Sequence, residues 1–129
     1  YGNALTLGME DDEIDRLVMS MITDPQRVRR DIPGRPEVCN VFSWHRLFQA
    51  SEDELAEVYR GCTTAVLGCV EDKRNLAARV RATVAPIRER REALLRDPDR
   101  IDAILDEGAE RARAIAAPVL AEVKGAMGL

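Results

Sequence analysis

Cysteine is the residue type in this chain best suited to chemistry, and there are three, spaced Cys39-x22-Cys62-x6-Cys69. Gly61 and Gly68 precede the second and third, and a backbone without a Cβ lets a bulky group approach closely. An odd number of cysteines, with no basic-then-apolar signal segment at the start, argues against a disulfide framework. That leaves thiols or metal ligands. Asp72 lies three residues beyond Cys69, so the two side chains share a face if the segment is helical. The competing reading is three small buried hydrophobes, a common role for free cysteine. His45, the only histidine, could be a ligand or a base, or simply a satisfied core or surface imidazole. Serine and carboxylates stand at no catalytic spacing, so an independent hydrolase has no support and no catalytic residue is assigned. Met19 and Met21 read as packing.

The other chemistry-bearing pattern is basic. Net charge is −4, yet Lys73 to Arg96 holds eight basic residues against two acidic ones, while Glu10 to Asp15 and Glu52 to Glu57 are acidic. On a helical wheel Arg79 and Arg90 flank one side of an apolar stripe and Arg81 and Arg88 the other. Guanidinium rails of this kind can neutralise phosphates without reading sequence, or they can form a solvated face paired to Glu89, Glu92 and the acidic helices. A second basic segment, Arg27 to Glu37, has four arginines, two prolines and a glycine and reads as a loop.

These residues need a scaffold, and its type is legible. The 129 residues suit one modest core. Apolar residues make up 46%, charged residues 33% and aromatics only 4%, with Ala, Leu, Arg and Glu dominant, which favours helix. No run of about 18 apolar residues exists, so no membrane association is expected and the chain reads as cytoplasmic. It begins Tyr-Gly-Asn without Met, as expected of a piece of something longer.

A first helix is expected over about Glu10 to Ile22, with Ile14, Leu17, Val18, Met21 and Ile22 at helical spacing, stopped by Thr23-Asp24-Pro25. Asn40 can cap a short helix containing Val41, Trp44, Leu47 and Phe48, which groups the only Trp and both Phe with Val41 on nearly one face. Ser51-Glu-Asp-Glu54 is a capping box opening another, to about Tyr59. Leu76, Val80, Val84, Ile87 and Leu94 mark a long helix from about Gly68 to Leu95, bent at Pro86. Asp97-Pro98 opens the last helix, striped by Ile101, Ile104, Leu105, Ala112, Ile115, Ala116, Val119, Leu120 and Val123 and ended by Gly128. No period-two segment rises above noise. The expected fold is all-α: a helical bundle with two long antiparallel helices covered by shorter ones.

Four stretches, in order, carry a resemblance: Tyr1-Gly-Asn-Ala-Leu-Thr-Leu7; Val18-Met-Ser-Met-Ile-Thr-Asp-Pro25; Pro86-Ile-Arg-Glu-Arg-Arg91; and Ile104-Leu-Asp-Glu-Gly-Ala-Glu-Arg-Ala-Arg-Ala-Ile-Ala116 with Ala126-Met-Gly-Leu129. The chain resembles the C-terminal part of bacterial tryptophanyl-tRNA synthetases over nearly all its length, residues 1–9 resembling the linker after that family's KMSKS loop. The resemblance implies that residues 1–129 form the helical domain that receives the anticodon arm of tRNA(Trp). It also implies a cytoplasmic, homodimeric parent that activates tryptophan with ATP and Mg on a Rossmann domain. Neither the HIGH nor the KMSKS motif is among these residues, so the piece alone is expected to be inactive. RNA contact is expected from Arg27, Arg29, Arg30 and Arg35 in the loop and Arg88, Arg90 and Arg91 in the long helix.

One branch of that family holds a four-iron, four-sulfur (4Fe-4S) cluster on a C-x22-C-x6-C-x2-C pattern. Cys39, Cys62 and Cys69 match it; where the fourth cysteine would stand is Asp72. Thiolates are the usual ligands of such clusters, so the carboxylate departs from the pattern. The options are a 4Fe-4S cluster with Asp72 as fourth ligand, a 3Fe-4S cluster, zinc on three thiolates with Asp72 or His45, or no cofactor. A different class of function is a free-standing helical interaction module, derived from the same domain, that binds protein or RNA without catalysis.

Overall fold

A computed structural model describes residues 4–48 and 51–129; the Tyr1-Gly-Asn start of the first motif lies outside them. Among the described residues there are five α-helices and no strand: α1 (Asp11–Ser20), α2 (Asn40–Phe48), α3 (Glu52–Thr63), α4 (Cys69–Leu95) and α5 (Pro98–Met127), with a 3-10 turn at Pro36–Val38. The all-α expectation holds. Boundaries follow local chemistry. Glu10 and Glu13 form a reciprocal cap on α1, Ser51 accepts the Glu54 amide to open α3, and Asp97 accepts the Arg100 amide ahead of Pro98. Gly128, at φ 74°, takes the left-handed turn that ends α5. α4 continues unbroken through Pro86.

The chain divides at Glu89 and Arg90, inside α4, into two compact units. The core belongs to the first. Ile14 and Val18 of α1, Val41 and Phe42 of α2, and Leu76, Ala77, Val80 and Val84 of α4 are buried together with Cys39, and Leu55 and Val58 of α3, Trp44 and Met21 pack against them. Ionic ties from α4 fasten this packing: Arg79 to Glu54, Arg81 to Asp15, Arg88 to Asp11 and the Met9 carbonyl, and Lys73 to the Met19 carbonyl. Three of the four rail arginines are thus paired to the acidic helices.

Leu47 of α2 is 75% exposed. The α2 stripe that faces the core is Val41, Phe42 and His45, and Leu47 falls on the opposite side. One boundary is corrected: α3 runs past Tyr59 to Thr63 and so carries Cys62. In the second unit, residues 90–129, no side chain is buried, and the α5 stripe residues Ile104, Leu105, Ile115, Val119, Leu120 and Val123 are all exposed. Helical periodicity reports that a face can be buried, but not which surface buries it.

Candidate nucleic-acid interface

The loop after α1 is pinned by a carboxylate. Asp24 is buried and accepts from the Gln26 amide, the Arg35 amide and, bidentately, the Arg35 guanidinium at 3.0 and 2.6 Å. This guanidinium hydrogen bond holds the Asp24 carboxyl well below the usual carboxylate range and raises Arg35 in turn. Arg27 clamps the loop to the α3–α4 connection, donating to the Arg30 and Leu67 carbonyls at 3.0 and 2.8 Å.

That clamp shapes an open cleft of about 600 Å³ at the amino end of α4, lined by Arg27, Arg29, Arg30, Arg74, Gly68 and Cys69 among others. A Cβ on Gly68 would stand 3.4 Å from Arg30 Nε, so the arginine side chain packs over the glycine. Arg29 and Arg30 are more than 70% exposed and, among the described residues, paired only with the exposed Asp31 and Glu71 at 3.3 and 3.8 Å, contacts of little energetic worth. Arg74 makes no ion pair among the described residues. Exposed guanidinium groups beside the positive end of a 27-residue helix make an anion-attracting surface.

The seven arginines expected to contact RNA therefore separate. Arg27, Arg35 and Arg88 hold the fold, through loop carbonyls, Asp24, and Met9 with Asp11 respectively. Arg29 and Arg30 line the cleft. Arg90 and Arg91 are exposed, in the other unit, with no ion pair among the described residues. The structure adds Arg74 to the cleft. Its position one turn into α4 was the available signal, but only the folded loop brings it beside Arg30.

The cysteines lie next to this cleft. Cys39 is buried immediately before α2, its carbonyl accepting from the Ser43 amide, while Cys62 and Cys69 are partly buried. Burial pushes the Cys62 thiol up, Arg27 opposes this, and the neighbouring acids Cys39, Asp72 and Cys69 add to it. Cys62 Sγ lies against Gly34, 2.6 Å from where a Cβ would be, and 3.8 Å from Arg27 Nη1. Arg27 Nε is buried without a partner. Asp72 is already engaged: its Oδ1 is 2.8 Å from His45 Nε2, and both residues are buried. Among the described residues no three of His, Cys, Asp or Glu are grouped to hold a metal ion, which applies to the zinc and the iron-sulfur arrangements alike.

Comparison with known proteins adds the lineage. The chain is 43% identical over 129 residues to the tryptophan–tRNA ligase of Aquifex aeolicus and 41% identical to that of Thermotoga maritima, matched over all of its own length. Its relatives are tryptophan–tRNA ligases. It spans 33% and 39% of those two proteins. The crystal structure of Campylobacter jejuni tryptophanyl-tRNA synthetase with ADP and tryptophan superposes with a TM-score of 0.88 at 27% identity, over 100% of this chain and 40% of that one. No family model matches. No described helix is long and apolar enough to cross a membrane.

Proposed function

We propose that this chain is the helical, C-terminal part of a tryptophan–tRNA ligase and that it binds the anticodon arm of tRNA(Trp). The observation that carries this reading is the arginine-lined cleft at the amino end of α4, on a chain homologous to such ligases from end to end. The whole enzyme, a cytoplasmic homodimer on this reading, joins tryptophan to tRNA(Trp) with ATP and Mg in its other part. Arg29, Arg30 and Arg74 meet phosphates from the cleft, and Arg90 and Arg91 do so from the end of α4. Arg27, Arg35 and Arg88 keep those elements in place.

Titration of fluorescent tRNA(Trp) with the chain at several salt concentrations tests this. Removing one phosphate-binding arginine should flatten the log–log salt dependence by about 0.7–0.9. The triple replacement Arg29→Ala, Arg30→Ala and Arg74→Ala is expected to weaken binding and lower the slope while leaving the helical circular dichroism unchanged. Unaltered affinity and slope would overturn the assignment of the cleft.

A second reading concerns the thiols. Cys39, Cys62 and Cys69 hold an iron-sulfur cluster, and the engagement of Asp72 by His45 favours the three-iron form over one with four ligated irons. The cluster would supply electron-transfer chemistry. Iron and acid-labile sulfide analysis, with the visible spectrum of anaerobically purified chain, tests it. Colourless, iron-free protein would end it.

A further inference from the structure

Three cations stitch α4 to α1 and the residues before it, in antiparallel order. Lys73 donates to the Met19 carbonyl at 2.8 Å, Arg81 pairs with Asp15, and Arg88 donates to the Met9 carbonyl and to Asp11, each at 2.7 Å. The first two ties lie where α4 is also packed, since Leu76, Ala77, Val80 and Val84 are buried. Arg88 lies beyond that packing. No residue of α4 after Val84 is buried, yet the Arg88 side chain is only 16% exposed.

Between Val84 and Arg88 the helical ladder is at its weakest. Pro86 has no amide, so the Ala82 carbonyl lacks its helical donor, and the proline ring crowds that same carbonyl. The Thr83 hydroxyl donates to the Arg79 carbonyl at 2.9 Å, a back-bond that competes with the ladder and favours bending. Even so, α4 runs through this stretch without a break. We infer that Arg88 is a latch across a hinge: engaged on Met9 and Asp11 it keeps α4 continuous through Pro86, and released it lets α4 bend there and redirects Arg90 and Arg91. The latch stands whether or not the chain binds RNA. Its Asp11 half is 57% exposed and is screened by salt, whereas its Met9 half uses a neutral carbonyl, so added salt weakens the latch without opening it fully.

Amide hydrogen exchange read residue by residue on the whole chain tests this. The amides of Ile87 to Arg90 bond back to Thr83 to Pro86 and so report opening of the hinge. Arg88→Ala is expected to speed their exchange on the order of tenfold, the effect of losing a charge-assisted hydrogen bond, while the amides of Leu76 to Val80 keep theirs. Adding Pro86→Ala to Arg88→Ala should return Ile87 to Arg90 to slow exchange, because the restored amide closes the Ala82 rung and the helix no longer needs the latch. Residual dipolar couplings give the direction: those of residues 88–95 should fit the alignment of residues 72–84 in the unaltered chain and depart from it in Arg88→Ala. Asp11→Asn leaves the Met9 contact in place, should give a smaller acceleration at the same amides, and serves if Arg88→Ala fails to fold. Exchange that rises equally along α4 would make Arg88 a general support and overturn the latch. A double variant as fast as Arg88→Ala would overturn Pro86 as the hinge, and unchanged exchange in Arg88→Ala and Asp11→Asn would overturn the whole inference.

Discussion

At the scale of single residues, the side chains that mattered were those whose partners lie far away in sequence. Asp24 reads in sequence as part of a helix stop, yet it is the anchor of the arginine loop, eleven positions from Arg35. Its folded pKa lies below the unfolded value near 3.8, so its stabilisation is present above that value and is lost as pH falls through and beneath it. Acid unfolding should therefore steepen below about pH 4, and Asp24→Asn, already destabilised at neutral pH, should lose that part of the pH dependence when thermal midpoints are compared. His45 and Asp72 form a buried pair bridging α2 and α4. Asp72→Ala leaves the imidazole unpaired and should cost about 1–3 kcal/mol in urea denaturation. The double replacement His45→Leu and Asp72→Leu should recover part of that, since a buried pair often exchanges well for apolar packing. The reading of His45 as a satisfied core or surface histidine agrees with its burial against Asp72, but nothing in the sequence pointed to the residue that would satisfy it.

At the scale of elements, the long helix and its caps were readable because they depend on neighbours in sequence. Ser51, Asp97 and Gly128 act within four residues of themselves, and the stripe Leu76, Val80 and Val84 needs only the helical period. Leu76→Ala, at a fully buried site on α4, should cost about 2–5 kcal/mol. The loop from Asp24 to Val38 was readable only as basic and irregular. Its path depends on Gly34, whose amide donates to the Cys62 carbonyl at 3.0 Å and whose missing Cβ leaves room for the Cys62 sulfur. Gly34→Ala should destabilise by about 1–3 kcal/mol through overpacking, and adding Cys62→Ala should restore most of it. Equal denaturation midpoints for the single and double variants would contradict this close approach.

At the scale of the whole molecule, burial is uneven: residues 90–129 contain no buried side chain, although α5 has a full apolar stripe. Exposed apolar side chains at this density favour self-association. The chain alone should associate with increasing concentration in sedimentation velocity, and Ile115→Lys with Leu120→Lys should suppress that while leaving helicity intact. A chain that stays monomeric at all concentrations would remove the stripe from consideration as an interface.

What the sequence determined by itself was the helical class, the positions and ends of α1, α4 and α5, and the chemical character of the basic loop and the cysteines, since periodicity, capping and charge are local properties. Only the tertiary structure decided which arginines hold the fold and which line a cleft, and that Asp72 is claimed by His45. Those outcomes depend on contacts between residues tens of positions apart, for which a linear pattern supplies candidates but no distances.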